Sequence, residues 1–228
     1  MNEPQNPWDV VGEWLPGNDE PERPQMNLAT VSVTGEPDAR TVLLSEYDSE
    51  GFYFHTDALS RKAAAIVARP AVALTFLWPG FTKQLVVQGR AEVAPAHEIA
   101  AAYLARSPYL QQLAWQNTFE FAQYPDDERR DRWVAFTAEH TAEHTAEHTG
   151  EHTAEHTGEH TAEHTGEHTD DSRRPGTPQP AFSQPDTWVG FLVRPTRMTF
   201  WASGSDAPSR RVEYRATSGG WTVVYLPG

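Results

Sequence analysis

Three short stretches of this 228-residue chain carry side chains that could do chemistry. The first is Ser60-Arg61-Lys62, which opens a helical segment directly after a strand-like one. Cations in a first helical turn oppose the helix dipole by roughly 0.3–1 kcal/mol each. Two together make sense where an anion sits, because helix N-terminal amides with Arg and Lys form a phosphate site. The competing reading is two solvated charges on a short helix. The second stretch is Arg40-Thr41-Val42-Leu43-Leu44, a strand that begins with arginine; alone, it is an Arg at a strand edge. The third is Gln84 in Lys83-Gln84-Leu85-Val86-Val87, read as a polar side chain at an inward position, where it needs a partner. A C-terminal aromatic set (Trp188, Phe191, Phe200, Trp201, Tyr214 and Trp221) has the density of a core or a dimer interface and could also wall a planar cofactor.

The histidines point elsewhere. From Thr137 to Thr169 the chain repeats Glu-His-Thr-(Ala/Gly) in eight copies. Histidines four apart on a helix can share a metal. A period of four drifts around a 3.6-residue helix, however, and Thr with Gly150, Gly158 and Gly166 weakens it. We read the tract as a solvated low-complexity expansion and expect no catalytic metal. Of the two histidines outside it, His97 falls on a predicted surface helix and is read as inert, and His55 lies in a strand. There is no cysteine, which excludes disulfides, thiolate nucleophiles and Cys-based metal sites. No Ser-His-Asp signature, glycine-rich nucleotide loop or paired-carboxylate motif is present. The net charge is −14, but eight glutamates of the repeat supply much of it, so the remainder is mildly acidic. That gives no support for a nucleic-acid binder. No apolar run is long enough to span a bilayer, and the first residues lack a leader pattern, so a cytoplasmic protein with no membrane partner is expected.

The elements that must position these residues alternate between strand and helix signals. Residues 1–25 are rich in Pro, Asn and Glu and read as a flexible arm with one short helix around Trp8–Trp14. Strands are predicted at Asn27–Val33, Arg40–Leu44 and Gly51–Thr56, joined by turn chemistry at Thr34-Gly35-Glu36-Pro37 and Asp48-Ser49-Glu50-Gly51. Ser60–Ala68 is a helix with Ser60 as N-cap. Ala71–Trp78 and the long Lys83–Val93 follow as strands, the latter with Gly89 as a bend or bulge. Pro95–Arg106 and Asp126–Phe136 read as helices, and 108–124 is ambiguous. Strand signals return at Trp188–Val193, Arg197–Trp201, Arg211–Arg215 and Trp221–Leu226. These must complete a sheet begun before the repeat. The organisation expected is therefore an arm (1–25), one domain built from 26–136 and 185–228, and an insertion with linker (137–184).

In order and spacing these stretches resemble the pyridoxamine 5′-phosphate oxidase family. Arg40-Thr41-Val42-Leu43-Leu44 is similar to its Arg-x-Val-Leu-Leu strand, and His55-Thr56 falls where the family has Tyr-Thr. Ser60-Arg61-Lys62-Ala63 is similar to its Ser-Arg-Lys-Ala phosphate motif, and Gln84–Glu92 to its Gln-containing strand. Trp188-Val189-Gly190-Phe191, Pro195, Phe200-Trp201, Arg211, Tyr214, Trp221 and Leu226-Pro227 resemble its C-terminal dimerisation segment.

The resemblance implies an α+β fold, mainly antiparallel: a six-stranded split β-barrel of Greek-key type with flanking helices. It implies a homodimer that binds flavin mononucleotide (FMN). Arg40, Thr41, Val42, Leu43, Leu44, His55, Thr56, Ser60, Arg61 and Lys62 would hold the phosphate, ribityl chain and ring edge. Gln84 would bond the ring, and Trp201 and Arg211 would approach from the second subunit. The implied activity is oxidation of pyridoxamine or pyridoxine 5′-phosphate to pyridoxal 5′-phosphate by dioxygen, giving hydrogen peroxide. Ser45, Tyr103, Arg106 and Ser209 fall at the family's substrate positions. Two of these depart from its pattern. Ser45 replaces a Lys, as in the related phenazine-pathway flavin oxidases, and Ala207-Pro208-Ser209 replaces Arg-Leu-His. The alternatives are an oxidase of a specialised-metabolite intermediate and a flavin-binding protein without turnover.

Overall fold

The computed structural model describes residues 6–151, 181–204 and 208–228, and it divides into two units. The first, residues 1–102 with 186–228, holds nine strands in one antiparallel sheet. These are β1 (Gln25–Val31), β2 (Pro37–Leu43), β3 (Glu46–Tyr47), β4 (Phe52–Asp57), β5 (Ala71–Leu77), β6 (Lys83–Val93), β7 (Trp188–Ala202), β8 (Arg210–Thr217) and β9 (Gly220–Leu226). The sheet order is β2-β1-β5-β6-β7-β4-β3, with β8 and β9 continuing from β7 on a separate branch. The path from β2 to β4 contains the six barrel strands expected, and β2 packs against β4 at its closure. β4 pairs with β7 rather than β5, so the chain crosses over through helix α2 (Arg61–Ala68).

Alternation fixes which face is core. Met26 and Leu28 of β1, Leu74 and Phe76 of β5, Leu85 and Val87 of β6, and Met198 and Phe200 of β7 are all buried in one cluster. A one-residue slip in any of these strands would turn its apolar set outward, so the register is strongly specified. β7 is one continuous fifteen-residue strand, where two shorter ones are read from sequence. It stays paired by absorbing a bulge: Gln88 pairs with Arg197 but Gly89 with Pro195, leaving Thr196 extra. Gly89 is required there, since a Cβ would lie 2.1 Å from the Arg194 carbonyl oxygen.

The reading of residues 1–25 as a loose arm needs correction from Asn6 onward. Asn6 caps helix α1 (Pro7–Trp14), with proline at its first position. Val10, Val11 and Leu15 join the barrel core, with Trp8 and Trp14 packed against it. Burying side chains of this size is worth roughly 1.5–3 kcal/mol each, enough to anchor one short helix.

The second unit, residues 103–185, contains the end of α3 (Ala96–Leu104), α4 (Pro108–Gln116) and α5 (Asp126–Glu151). The division into units falls at 103, while the sequence reading begins its insertion at 137. α4 lies in the ambiguous 108–124 stretch. Its buried face is glutamine: Gln111, Gln112 and Gln116 all bond to backbone carbonyls of this unit. α5 continues well past Phe136 into the repeat, whose first copies carry Ala, the best helix former. Thr137 donates to Gln112 (2.9 Å), and the His140 ring lies 4.0 Å from that of Phe136 and 5.5 Å from that of Phe182. The linker's end is packed as well, with Phe182 buried and the Ser183 carbonyl accepting from Trp115. The repeat beyond Glu151 and the linker to residue 180 lie outside the described residues.

Candidate functional site

Cationic side chains gather where α2 begins. Ser60 is the N-cap, its hydroxyl accepting from the Ala63 amide. Lys62 donates to Thr56 Oγ1 at 3.0 Å, tying the helix to β4. Arg40, on the inward face of β2, donates from Nη1 to the Leu28 carbonyl (3.1 Å) and to Thr30 Oγ1 (2.8 Å). Burial pushes the Lys62 ammonium below its usual range; the charges of Arg40 and Arg61 push the same way, against Asp57 and Asp38. Arg61 itself extends into solvent, its side chain 92% exposed.

One carboxylate belongs to this cluster and escaped the sequence reading. Asp38 Oδ2 lies 2.5 Å from Arg40 Nη2 and 4.0 Å from Arg61 Nη2. Partial desolvation raises its pKa, but Arg40 and then Arg61 outweigh this and hold it below the ordinary carboxylate value. A cavity of about 380 Å³ adjoins the group, lined by Asp38 and Arg61 with the β1–β2 hairpin and one flank of α2. The signal in the sequence is Asp38-Ala39-Arg40, since residues two apart in a strand share a face.

Gln84, Trp201 and Arg211 form a second group. Gln84 pairs with Trp201 and Trp201 with Arg211 across β6, β7 and β8, so the three share one row and one face. It is the face opposite the core, which corrects the inward placement of Gln84: Leu85 and Val87 take the inward positions. Thr41 and Leu43 also point outward on β2, while Val42 packs on the core and Leu44 is fully buried. Phe81 covers Trp201 with ring centroids 4.6 Å apart, from a left-handed backbone conformation (φ 53°) that is uncommon outside glycine. The fold therefore brings Arg40, Thr56, Ser60, Arg61 and Lys62 together, and separately Gln84, Trp201 and Arg211.

The substrate candidates divide. Ser45 Oγ lies 2.7 Å from Nδ1 of His55, a residue that the resemblance gives as a flavin contact, and the His55 ring stacks on Trp188 at 5.2 Å and 7°. Gly190 makes this possible, because a Cβ there would lie 2.7 Å from His55 Nε2. In the second unit, Tyr103 is 1% exposed and its hydroxyl donates to the Ser183 carbonyl at 2.8 Å. Arg106 donates to the Leu110 carbonyl, and burial pushes its guanidinium pKa down. Both bond to backbone carbonyls of that unit. Ser209 packs against Gly228, and Ala207 lies outside the described residues. Among the described residues no group of His, Asp and Glu is arranged to hold a metal, and no helix is long and apolar enough to cross a membrane.

A curled antiparallel barrel with a cationic helix start defines a class, the split-barrel flavin oxidoreductases. The chain matches the pyridoxamine 5′-phosphate oxidase family over residues 19–145 and the pyridoxine 5′-phosphate oxidase C-terminal dimerisation region over 188–227. It belongs to the pyridoxamine 5′-phosphate oxidase family, whose members are FMN-dependent oxidases. It is 32% identical to the pyridoxine/pyridoxamine 5′-phosphate oxidase of Thermobifida fusca over 93% of this chain and 82% of that one. Against the enzyme of the same name from Haemophilus influenzae it is 30% identical, over 86% and 75%. The crystal structure of PhzG from Burkholderia lata in complex with tetrahydrophenazine-1-carboxylic acid shares the fold, with a TM-score of 0.67 and 20% identity over 100% of this chain and 95% of that one. A pyridoxamine 5′-phosphate oxidase-related, FMN binding protein from Nostoc punctiforme does so at a TM-score of 0.59 and 15% identity, over 90% and 88%.

Proposed function

We propose that this chain is a homodimeric FMN-dependent oxidase whose substrate corner differs from that of a pyridoxamine 5′-phosphate oxidase. The observation that carries the cofactor is the gathering of Arg40, Arg61 and Lys62 at the start of α2, with Asp38 and Asp57 against them. That donor set fits a phosphate dianion: free amides, a hydroxyl and three cations. Ser60, Arg61 and Lys62 would hold the phosphate, with Arg40 behind them and Thr56 fixing Lys62. Gln84 would bond the ring, and the outward-facing Trp201 and Arg211 of a second copy would complete the site. The match of residues 188–227 to a dimerisation region supports that second copy. When bound, FMN supplies a hydride acceptor and is reoxidised by dioxygen to give hydrogen peroxide. The protein's own part is binding, orientation and the exclusion of water.

Pyridoxamine or pyridoxine 5′-phosphate is the first substrate reading, supported by the names of the relatives at 30–32% identity. A second reading is a specialised-metabolite intermediate of phenazine type. It is favoured by Ser45, which stands at the position of the family's lysine and is hydrogen-bonded to His55. One preparation tests all of this. The purified protein should be yellow and release FMN, and peroxide should follow addition of pyridoxamine 5′-phosphate. A chain that takes up no FMN defeats the reading. FMN without peroxide from that substrate moves the assignment to the second reading, or to a flavin carrier if a dihydrophenazine carboxylate also fails.

A further inference from the structure

We infer that Asp38 is an internal counter-ion of the phosphate site: it neutralises the cations while the site is empty, and its charge opposes phosphate when FMN enters. The inference rests on the flavin reading above. Asp38 and Arg40 lie two apart on β2 and face the start of α2, with Asp38 in contact with Arg40 and within 4.0 Å of Arg61. Arg40 does not need Asp38 for its placement, because Nη1 is already fixed by the Leu28 carbonyl and the Thr30 hydroxyl. Arg61, exposed as it is, has no other ion pair within reach among the described residues. The carboxylate is therefore placed to screen three like charges rather than to build the site.

Two consequences follow from one charge. Without a ligand, Arg40, Arg61 and Lys62 repel one another, and Asp38 offsets that repulsion. With a phosphate dianion present, the same cations are satisfied by the ligand and Asp38 becomes a like charge a few ångströms from it. Removing the charge should therefore weaken the flavin-free protein and tighten the flavin-bound one. Retaining it keeps FMN affinity below what the cations alone would give and makes the flavin easier to exchange. The repulsion is between partly exposed charges, so it is reduced by salt.

The test compares apoprotein of wild type, Asp38→Asn and Asp38→Glu by titration with FMN and with riboflavin, which lacks the phosphate. Asp38→Asn should bind FMN about five- to thirty-fold more tightly at low ionic strength, with the gain shrinking in 0.5 M salt. Riboflavin affinity should not change, and Asp38→Glu should behave as wild type. Melting should cross over, with Asp38→Asn lower than wild type as apoprotein and equal or higher with FMN. If the wild type binds FMN and Asp38→Asn binds it equally or more weakly, the inference is overturned and Asp38 is a strut for Arg40. If the wild type binds no FMN, the flavin reading fails and the inference with it.

Discussion

His55 and Thr56 are consecutive on β4 and face opposite sides of it, and the two neighbourhoods they serve resemble the family's motifs to different extents. Thr56 looks toward the start of α2, where Ser60, Arg61, Lys62 and Arg40 keep the residue types of the phosphate motif. His55 looks toward Ser45 and Trp188, where two residue types have changed and the changed pair touches itself. A lysine lost alone would leave a gap in charge and space. Here Ser45 and His55 bond to each other through Nδ1, and Gly190 leaves room for the ring. On the proposed reading, the side that keeps the family's motif holds the flavin phosphate and the side that departs from it meets the substrate.

The comparison breaks most readily at the constrained side. Arg61→Ala with Lys62→Ala removes two charge-assisted contacts worth roughly 1.5–3 kcal/mol each, so FMN affinity should fall about 10²- to 10⁴-fold. Fluorescence titration of the apoprotein reads this directly, and full flavin occupancy in the double variant would contradict it. At the rebuilt side, Ser45→Lys with His55→Tyr restores both residue types at once. It should raise kcat/KM for pyridoxamine 5′-phosphate about ten- to a hundredfold, the worth of one charged contact, and leave FMN affinity nearly unchanged. Ser45→Lys alone should gain less, because His55 remains where the lysine must pass. A wild type already as efficient as its relatives would show that the rebuilt corner does not read the substrate.

Local chemistry made parts of this molecule readable from sequence, and long-range register hid others. Ser60 as N-cap, α2 behind it and Gly89 as the bulge each follow from a residue type with few alternatives. Gln84 was misplaced because the phase of an alternating strand is set by its partners, here Trp201 on β7. Asp38 went unseen because its meaning depends on Arg61, twenty-three residues away across a crossover. The arm looked loose because Pro, Asn and Glu mask a three-residue apolar stripe of Val10, Val11 and Leu15. α4 was obscured for the opposite reason, since its buried face is made of amides that bond to backbone, so no apolar period appears.

A smaller effect separates the two sides by pH. Glu46, next to Ser45, has its pKa pushed up to about 7 by burial first, then by its hydrogen bond to Glu98 and the charges of Glu98 and Asp48, against the pull of Arg23. Tyr53, bonded to Asp48, and His97, paired with Glu98, complete the group. A carboxyl raised in the folded state keeps a proton that the unfolded chain has already lost. Its contribution is therefore fullest below the ordinary value of 4.5 and is lost as pH rises through 7. Glu46 is only partly buried, so solvent screening limits the effect to about 1–2 kcal/mol. Glu46→Gln should melt with the wild type at pH 5 and several degrees above it at pH 8. Parallel curves across that range would remove Glu46 as the titrating group. Asp38, held low by Arg40 and Arg61, stays charged throughout, so FMN affinity should not follow this transition.

The smallest expected effect concerns the repeat, and where it is cut decides the outcome. Thr137 and His140 are not bystanders: one bonds to Gln112, and the other stacks on Phe136 and meets Phe182 at a tilt. A hydrogen bond of this kind is worth about 0.5–1.5 kcal/mol, and an aromatic contact adds a similar amount. Replacing residues 137–169 by a Gly/Ser linker removes both and should lower the melting temperature by several degrees. Replacing 144–169 leaves them in place and takes only Ala, Gly, Glu, His and Thr, none of which can anchor a core. That shorter cut should leave melting temperature, flavin content and turnover within error of the full chain. Both cuts should leave FMN affinity alone, because Arg40, Thr56, Arg61 and Lys62 all belong to the first unit. If the shorter cut costs flavin or soluble protein, the later copies of the repeat hold something that the first copy does not.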